Sequence, residues 1–253
     1  MDLELIYDYF DEEHRLTASP ARTIEFLTTT RQIEKFLKPG MRILDVGAGT
    51  GAYSLKYAAE GYSVTAVEPV KKHCALIQTK RQPAMDLTVI QGNALDLSSL
   101  PEEAFDLVLC LGPLYHLETE AQRTQCVRQV LRVLKPGGAA FFAFINNDMV
   151  FVTEAMVYNS EFLDNGRYDR STFKVADIPF VFLSLEQVHR WLDAEGWTPV
   201  QEFAADGMAE LLAEKLNALK PEPFQSWLEF HMAMCEKPQM LGASNHVVFR
   251  LNK

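Results

Sequence analysis

The chain has 253 residues, 48% of which are apolar, and its formal net charge at pH 7 is −10. This length and composition suffice to bury a sizeable core as one large domain, so a single domain with insertions is the starting expectation. The negative charge disfavours non-specific binding to nucleic-acid phosphates or anionic membranes, and it favours small or cationic partners.

Signals for targeting, membrane insertion and disulfide formation are weak. The first ten residues carry three acidic side chains and no sustained apolar run, unlike a signal peptide. No apolar stretch approaches transmembrane length. The four cysteines are far apart and form no C-x-x-C pair, which predicts neither a disulfide framework nor a zinc site. We therefore expect a cytoplasmic protein with reduced thiols and no membrane association.

Short β-rich runs alternate with helical stretches along the middle of the chain, which is typical of a parallel sheet with crossover helices. Helices are expected to connect the strands, and the last of these helices is expected to stop at a turn over 135–138. Strands are predicted at 42–46, 63–67, 87–91, 105–111 and 139–145, and helices at 51–60, 71–80 and 121–134.

The remaining segments add to this core. A capping box from Ser184 to Gln187 predicts a helix that runs to about Glu195. The stretches before about residue 36 and over 146–183 do not follow the alternation, and such segments can cap a ligand crevice. Further strands are predicted near 198–203 and 246–251, and helical stretches at 206–219 and 221–236.

A glycine-rich turn follows the first of these strands and precedes a helix. Gly47, Gly49 and Gly51 can adopt positive φ and let a ligand approach the backbone, and the following helix offers free N–H groups. Glu68 stands at the end of the next strand, where an acidic side chain can accept both hydrogen bonds of a ribose diol. A nucleoside-containing ligand is therefore predicted at this turn.

Two kinds of nucleoside cofactor fit the turn, and Asp45 discriminates between them. Gly47, Gly49 and Ala52 also match the dinucleotide pattern G-x-G-x-x-G/A, so NAD is an alternative. A carboxylate two residues before the first glycine would repel a pyrophosphate, whereas S-adenosyl-L-methionine carries a cationic sulfonium and an ammonium and has no phosphate. The charge therefore favours S-adenosylmethionine.

The motifs between about residues 40 and 145 resemble, in order, those of the class I S-adenosylmethionine-dependent methyltransferases. The run from Asp45 through Ala48 to Gly51 is similar to the family's glycine-rich motif, and Glu68-Pro69 is similar to its ribose-binding acid. By this resemblance Asn93 and Ala94 hold the adenine, although the family more often has Asp at the position of Asn93. The segment 131–138 is similar to the turn before the family's fifth strand.

The resemblance implies a fold and a division of the chain. The fold is α/β, with a doubly wound, seven-stranded Rossmann-like sheet that is mostly parallel, an antiparallel last strand, and helical or irregular cap insertions. We expect one methyltransferase domain over 1–253, consisting of an N-terminal helical lid, a cofactor-binding core, an acceptor-side cap insertion, and a C-terminal part that completes the sheet. These segments are 1–35, 36–145, 146–183 and 184–253.

Candidates for the chemistry follow the strand at 105–111. By the resemblance, the backbone near Leu111 meets the amino-acid part of the cofactor, and Tyr115 and His116 orient or deprotonate the acceptor. An alternative is that His116 caps the loop or binds the cofactor backbone. Arg15 could bind the cofactor carboxylate, although a solvent-facing arginine on a surface helix is also compatible with its position.

Three functions are compatible with these residues. The first is methyl transfer by in-line displacement to an oxygen, nitrogen or carbon nucleophile of a small molecule. The second is methylation of a wobble-uridine side chain in tRNA, for which the cluster of Arg167, Arg170 and Lys174 is the only close group of basic residues beside the aromatic segment. The third is a non-catalytic or NAD-binding Rossmann-like protein. The sequence determines neither the acceptor nor the oligomeric state.

No metal is predicted, because the histidines do not combine with cysteines or acids at ligand spacing. The histidines considered are His14, His73, His189, His231 and His246.

Overall fold

The computed structural model describes residues 12–253, so the first eleven residues of the predicted lid lie outside it. The helices of the described part are α1 (Pro20–Glu34), α2 (Ala52–Ala59), α3 (Lys71–Lys80), α4 (Glu120–Val133), α5 (Asn147–Thr153), α6 (Leu185–Ala194), α7 (Ala213–Asn217), α8 (Pro221–Met234) and α9 (Pro238–Leu241). The strands are β1 (Arg42–Val46), β2 (Ser63–Glu68), β3 (Leu87–Gln91), β4 (Phe105–Cys110), β5 (Leu134–Asn146), β6 (Phe182–Leu183), β7 (Gln201–Ala204) and β8 (His246–Asn252).

The strands form one sheet in the order β3-β2-β1-β4-β5-β8-β7, and the two-residue β6 pairs with β5. Strands β1 to β6 pair in parallel, with Asp45 opposite Ala66 on one side and opposite Leu109 on the other. Strand β8 runs antiparallel to β5, because Gly137 N–H donates to the Lys253 carbonyl at one end while Asn146 N–H donates to the Asn245 carbonyl at the other. The predicted α/β Rossmann-like sheet is thus confirmed, and β6 is an eighth strand that the sequence did not reveal.

The chain divides into two compact units. The described part of unit 1 comprises residues 12–15, Gln32–Ala143 and Arg250–Lys253. Unit 2 comprises Leu16–Arg31 and Phe144–Phe249, and α1, β5 and β8 each contribute residues to both units. The predicted single domain and its four segments stay predictions.

Unit 1 contains β1 to β4 and most of β5, and its core lies in β1 and β4. Ile43, Leu44, Val108 and Leu109 are fully buried, as expected for parallel strands that helices cover on both faces. Helix α4 begins with a capping box, in which the Thr119 hydroxyl accepts from the N–H of residue 122. These strands and helices position the turns at the carboxyl ends of β1, β2 and β4.

Unit 2 has a separate apolar cluster in which α1 takes part. Ser19 precedes the helix and Pro20 is its first residue, which is a favourable start because proline lacks the N–H that would be left unpaired there. Residues of α1 pack against residues of α7 and α8, and the buried members of this cluster are Ala21, Ile24, Ala209, Leu216 and Leu228. The capping box predicted at Ser184 is present, with the Ser184 hydroxyl accepting from Gln187 N–H at 3.2 Å.

Several predicted boundaries are wrong. The turn expected at 135–138 is the beginning of β5, where the pairing register shifts between Phe105 and Leu107 and Gly137 has φ of +78°. The segment 146–183 is not wholly irregular, since it contains α5 and a following π-helical turn. In that segment Phe151 packs edge-to-face on Phe162, Tyr168 and Phe173. The helix expected at 206–219 is limited to α7.

None of the helices in the part of the chain that the structure describes is long and apolar enough to cross a bilayer.

Candidate cofactor site

The glycine turn at the carboxyl end of β1 is tied to β2 by hydrogen bonds. The N–H groups of Gly47 and Ala48 both donate to the carbonyl of Val67, at 2.8 and 3.2 Å. Gly51 N–H donates to the Ala48 carbonyl at 2.9 Å, which closes the turn just before α2 begins. The turn is therefore a rigid part of unit 1.

Packing requires glycine at two positions of this turn. Gly47 and Gly51 have φ of +70° and +86°. A Cβ at Gly47 would lie 2.8 Å from Cγ of Pro113, and a Cβ at Gly51 would lie 2.7 Å from Cγ1 of Ile77. Since both distances are far below van der Waals contact, a side chain at either position would displace its neighbour.

Asp45 lies beneath the turn and caps α2. Its side chain is buried, and its Oδ2 accepts a hydrogen bond of 2.6 Å from the Ser54 hydroxyl, with a further bond from the Ser54 backbone N–H. The pKa of Asp45 is raised from 3.8 to about 6, mainly because burial disfavours the charged form, while the bonds from Ser54 lower it and the charge of Glu68 raises it. Asp45 therefore provides a hydrogen-bond acceptor for the first turn of α2 at the cost of desolvating its carboxylate, and a nearby cation would favour its ionised form.

Glu68 connects the turn after β1 with the turn after β2. Its carboxylate is buried and accepts hydrogen bonds from Gly49 N–H at 2.8 Å, through Oε2, and from Val70 N–H at 3.0 Å, through Oε1. Nδ1 of His73 lies 3.3 Å from Oε1. Oε2 has a second lone pair beyond the one that the Gly49 N–H engages, which is the capacity that a ribose hydroxyl needs.

The arrangement of donors and charges is unsuited to a pyrophosphate. The N–H groups of Gly47, Ala48 and Gly49 all donate to acceptors within the protein. The charged side chains beneath and beside the turn include the carboxylates of Asp45 and Glu68. Such a site favours a cationic ligand, in agreement with the charge argument from the sequence.

The predicted adenine-side residues follow β3. Asn93 is exposed and Ala94 is buried. Oδ1 of Asn93 accepts a hydrogen bond of 2.9 Å from Leu95 N–H, which fixes the side chain in an Asx turn. One lone pair of this oxygen is used locally, so the acceptor capacity expected for an adenine amino group is reduced.

Leu111 leads from β4 into a short 3-10 helix, Pro113–His116, which approaches the glycine turn through Pro113. The rings of Tyr115 and His116 lie 5.0 Å apart between centroids. Burial lowers the pKa of His116 to about 4, and the positive charge of Arg15 adds to the effect. His116 is therefore neutral at pH 7 and can accept a proton only as a weak base.

Arg15 lies in unit 1 beside a residue that the sequence did not single out. Its Nε is 3.1 Å from Oε2 of Glu12, and Oε1 of Glu12 lies 3.5 Å from the position that a Cβ on Gly49 would occupy. Glu12 thus lies near the glycine turn, and Arg15 forms an ion pair with it. The carboxylate-binding role of Arg15 stays a prediction.

Three residues of this site were missed by reasoning from the sequence. Ser54 is the third residue of α2 and bonds to Asp45. A hydroxyl in the first turn of a helix, shortly after a strand that ends near an acidic residue, could have indicated this hydrogen bond. His73 and Glu12 gave no such signal, because each reaches the site through the tertiary fold rather than through a local motif.

The spacing of residues along the sequence did not reveal a group of possible metal ligands that includes His246. In unit 2 this histidine lies together with Glu25 and Asp206, and one ligand atom from each residue falls within 4.8 Å of the others. The three residues come from distant parts of the sequence, so their spacing along the chain could not reveal the group. The expected absence of a metal stays untested.

Comparison with known proteins identifies a methyltransferase domain around this site. Residues 44–142 match the family model described as methyltransferase domain. The chain is 28% identical over 173 residues to the ubiquinone biosynthesis O-methyltransferase of Pseudomonas syringae pv. tomato, an alignment that covers 67% of this chain and 72% of that protein.

Solved structures show the same fold. A protein from Pyrococcus horikoshii superposes with a TM-score of 0.64 at 16% identity, covering 99% of each chain. An S-adenosylmethionine-dependent methyltransferase from Thermotoga maritima, described as a possible histamine N-methyltransferase, superposes with a TM-score of 0.61 at 16% identity, covering 99% of this chain and 98% of that one.

The matched domain spans the strands β1 to β4 and the glycine turn, with Asp45 and Glu68 at the ends of adjacent strands. The NAD-binding alternative loses its support, since the match is to methyltransferases and the turn is unsuited to a pyrophosphate. Residues 44–142 therefore contain a methyltransferase domain, and the fold and the similar proteins support a class I S-adenosylmethionine-dependent methyltransferase.

Proposed function

We propose that this enzyme transfers a methyl group to an oxygen, nitrogen or carbon nucleophile of a small molecule, with the cofactor held at the glycine turn of unit 1. The observation that carries the proposal is the pair of buried carboxylates, Asp45 and Glu68, at the carboxyl ends of the neighbouring parallel strands β1 and β2. In parallel α/β sheets this edge is where ligands bind.

Each part of the cofactor has a proposed partner. The Glu68 carboxylate accepts the ribose hydroxyls, while Asn93 and Ala94 border the adenine. The Leu111 backbone receives the amino-acid part, and Arg15 pairs with its carboxylate. Pro69 borders the ribose, and the N–H of the next residue, Val70, binds the Glu68 carboxylate and holds it in place.

S-adenosylmethionine, when bound, supplies a methyl group that the sulfonium already activates. The protein then has to hold the acceptor in line with that methyl group and exclude water, and positioning alone contributes on the order of 7–11 kcal/mol in well-oriented reactions. In the proposed mechanism Tyr115 orients the acceptor. His116 is neutral at pH 7 and receives the acceptor proton as the new bond to the methyl carbon forms.

A small-molecule acceptor is supported by charge and by relatives. The net charge of −10 disfavours a polyanion such as tRNA. Within the basic cluster proposed for tRNA, the Lys174 ammonium is paired with the Asp177 carboxylate. A curated relative at 28% identity has a name that places it in ubiquinone biosynthesis as an O-methyltransferase, which is methylation of a small molecule.

Methyl transfer from S-adenosylmethionine labelled with tritium in the methyl group tests the proposal. The purified chain is incubated with pools of phenols, amines and activated carbon acids, and separately with unfractionated bacterial tRNA. We expect label in one small-molecule pool, with a rate that His116→Gln reduces by about 10²–10⁴ if His116 takes the proton. Glu102→Gln, a change at an exposed acid, serves as the control and should keep the wild-type rate. Label in tRNA alone would contradict the small-molecule acceptor.

A further inference from the structure

A second group of polar residues lies in unit 2, outside the cofactor site. Asp206 follows β7, His246 opens β8, and Glu25 belongs to α1. Nδ1 of His246 lies 2.8 Å from Oδ2 of Asp206 and 3.7 Å from Oε2 of Glu25. One imidazole nitrogen thus faces two carboxylates.

The group is largely withdrawn from solvent. The exposed fractions of the Asp206, Glu25 and His246 side chains are 9%, 17% and 19%. A third carboxylate, Glu210, interacts electrostatically with Asp206 and His246. Carboxylates this close repel each other in a poorly solvated place unless a positive charge lies among them. Either a protonated His246 or a bound cation can supply that positive charge.

The orientation of Asp206 is set by neighbouring groups. The Ser244 hydroxyl donates to Oδ1 of Asp206 at 2.5 Å, and the His246 backbone N–H donates to the same oxygen at 3.1 Å. The Ser244 oxygen itself accepts from Gly207 N–H at 2.8 Å. Such outer hydrogen bonds are typical of metal-ligating carboxylates, because they hold the ligand in one orientation.

Asn245 provides an independent observation in the same cluster. Its residue is 2% exposed, and its side-chain nitrogen donates to Glu210. Its buried Oδ1 finds no hydrogen-bond partner among the residues that the structure describes. A buried carboxamide oxygen of this kind costs about 1–3 kcal/mol unless a donor satisfies it, and water bound to a cation is a strong donor.

We propose that Glu25, Asp206 and His246 bind a divalent transition-metal ion. Two ligand atoms at about 2.1 Å from one ion stand about 3.0 Å apart in octahedral geometry and about 3.4 Å apart in tetrahedral geometry. The separations of 2.8 and 3.7 Å bracket these values, and all three ligand atoms lie within 4.8 Å of one another. One imidazole nitrogen with two carboxylates suits Zn²⁺ or Mn²⁺ better than Mg²⁺.

When the ion binds, it takes the place of the proton on Nδ1 of His246. That proton passes to solvent. Water fills the positions that the three ligands leave open. The site links α1 to the β7–β8 end of unit 2, and it stands independently of the methyl acceptor.

The test uses the full chain, stripped of metal with a chelator that is then removed by dialysis. Calorimetric titration with Zn²⁺, Mn²⁺ and Mg²⁺ should show one strong site for Zn²⁺ or Mn²⁺ and weaker binding of Mg²⁺. Glu25→Gln and His246→Gln should remove that site, and Ser244→Ala should weaken it roughly 10–100-fold.

The matched control is His189→Gln. His189 also pairs with a carboxylate, Glu202, at 2.7 Å, and it is not part of the three-residue group. This variant should bind the ion as the wild type does. Circular dichroism checks that each variant folds, and thermal unfolding should show a metal-dependent rise in Tm that Glu25→Gln lacks. Failure of the wild type to bind any of the three ions, or equal binding by Glu25→Gln and His246→Gln, would overturn the proposal.

Discussion

Substitution of Gly47 by alanine tests whether the glycine turn is held by packing. The backbone φ of +70° costs a non-glycine residue about 1–2 kcal/mol. The new Cβ would lie 2.8 Å from Cγ of Pro113, a ring atom with little freedom, and such overpacking adds about 1–3 kcal/mol. We therefore expect Gly47→Ala to lower the free energy of unfolding by about 2–5 kcal/mol and to weaken cofactor binding, because Pro113 begins the segment that carries Tyr115 and His116.

Gly61→Ala provides the matched control, since Gly61 has φ of +89° and a Cβ at this position would have no heavy atom within 4 Å. Its free energy of unfolding should fall only by the backbone cost of about 1–2 kcal/mol, and it should bind S-adenosylhomocysteine as tightly as the wild type does. Urea unfolding followed by circular dichroism gives the stabilities, and calorimetry gives the affinities. If Gly47→Ala loses no more stability than Gly61→Ala and binds equally well, the close approach to Pro113 has no energetic role and the reasoning is wrong.

Three further predictions concern ionisation and helix capping. The folded pKa of Asp45, about 6, exceeds the ordinary value of 3.8, so the folded state binds more protons than the unfolded state between these values and stability falls as pH rises through this window. Asp45→Asn should abolish this fall and, near pH 7, stabilise the ligand-free protein by up to about 3 kcal/mol while weakening binding of the cationic cofactor. For His116 the folded pKa of about 4 lies below 6.5, so the unfolded state binds more protons and stability rises with pH across that window. His116→Gln should remove this rise. Urea unfolding between pH 4.5 and 7.5 measures both effects. If the pH dependence of the unfolding free energy is the same in each variant as in the wild type, the environments described for Asp45 and His116 are wrong. Ser184→Ala should cost about 1 kcal/mol through loss of the capping box of α6, and an unchanged unfolding midpoint would show that the cap is not needed.

The part of the fold that the sequence predicted well is the part governed by local rules. Strand β1 and helix α3 have the predicted bounds, because buried parallel strands read as continuous apolar runs and the connecting helices carry their own start and stop signals. Asp45, Gly47 and Glu68 come together for the same reason, since parallel neighbours place their carboxyl ends at one edge of the sheet.

The features that escaped prediction depend on contacts between distant residues. The Lys-Pro-Gly-Gly segment at 135–138 reads locally as a turn, yet pairing with β4 and with the end of the chain makes it part of β5. Glu12 reaches Gly49, and Glu25 reaches His246, across long stretches of sequence. No spacing rule describes such pairs, because the tertiary fold alone decides which segments meet.

The central claim is that Glu68 and the glycine turn bind S-adenosylmethionine, and calorimetric titration tests it most directly. S-adenosylmethionine, S-adenosylhomocysteine and NAD are titrated into the wild type, Glu68→Gln and the control Glu102→Gln. We expect both adenosyl ligands to bind the wild type and the control at one site, NAD not to bind, and Glu68→Gln to lose at least about tenfold in affinity, as expected for hydrogen bonds to a charged group. Binding of NAD in their place, or equal affinity of Glu68→Gln and the wild type for S-adenosylhomocysteine, would contradict the account.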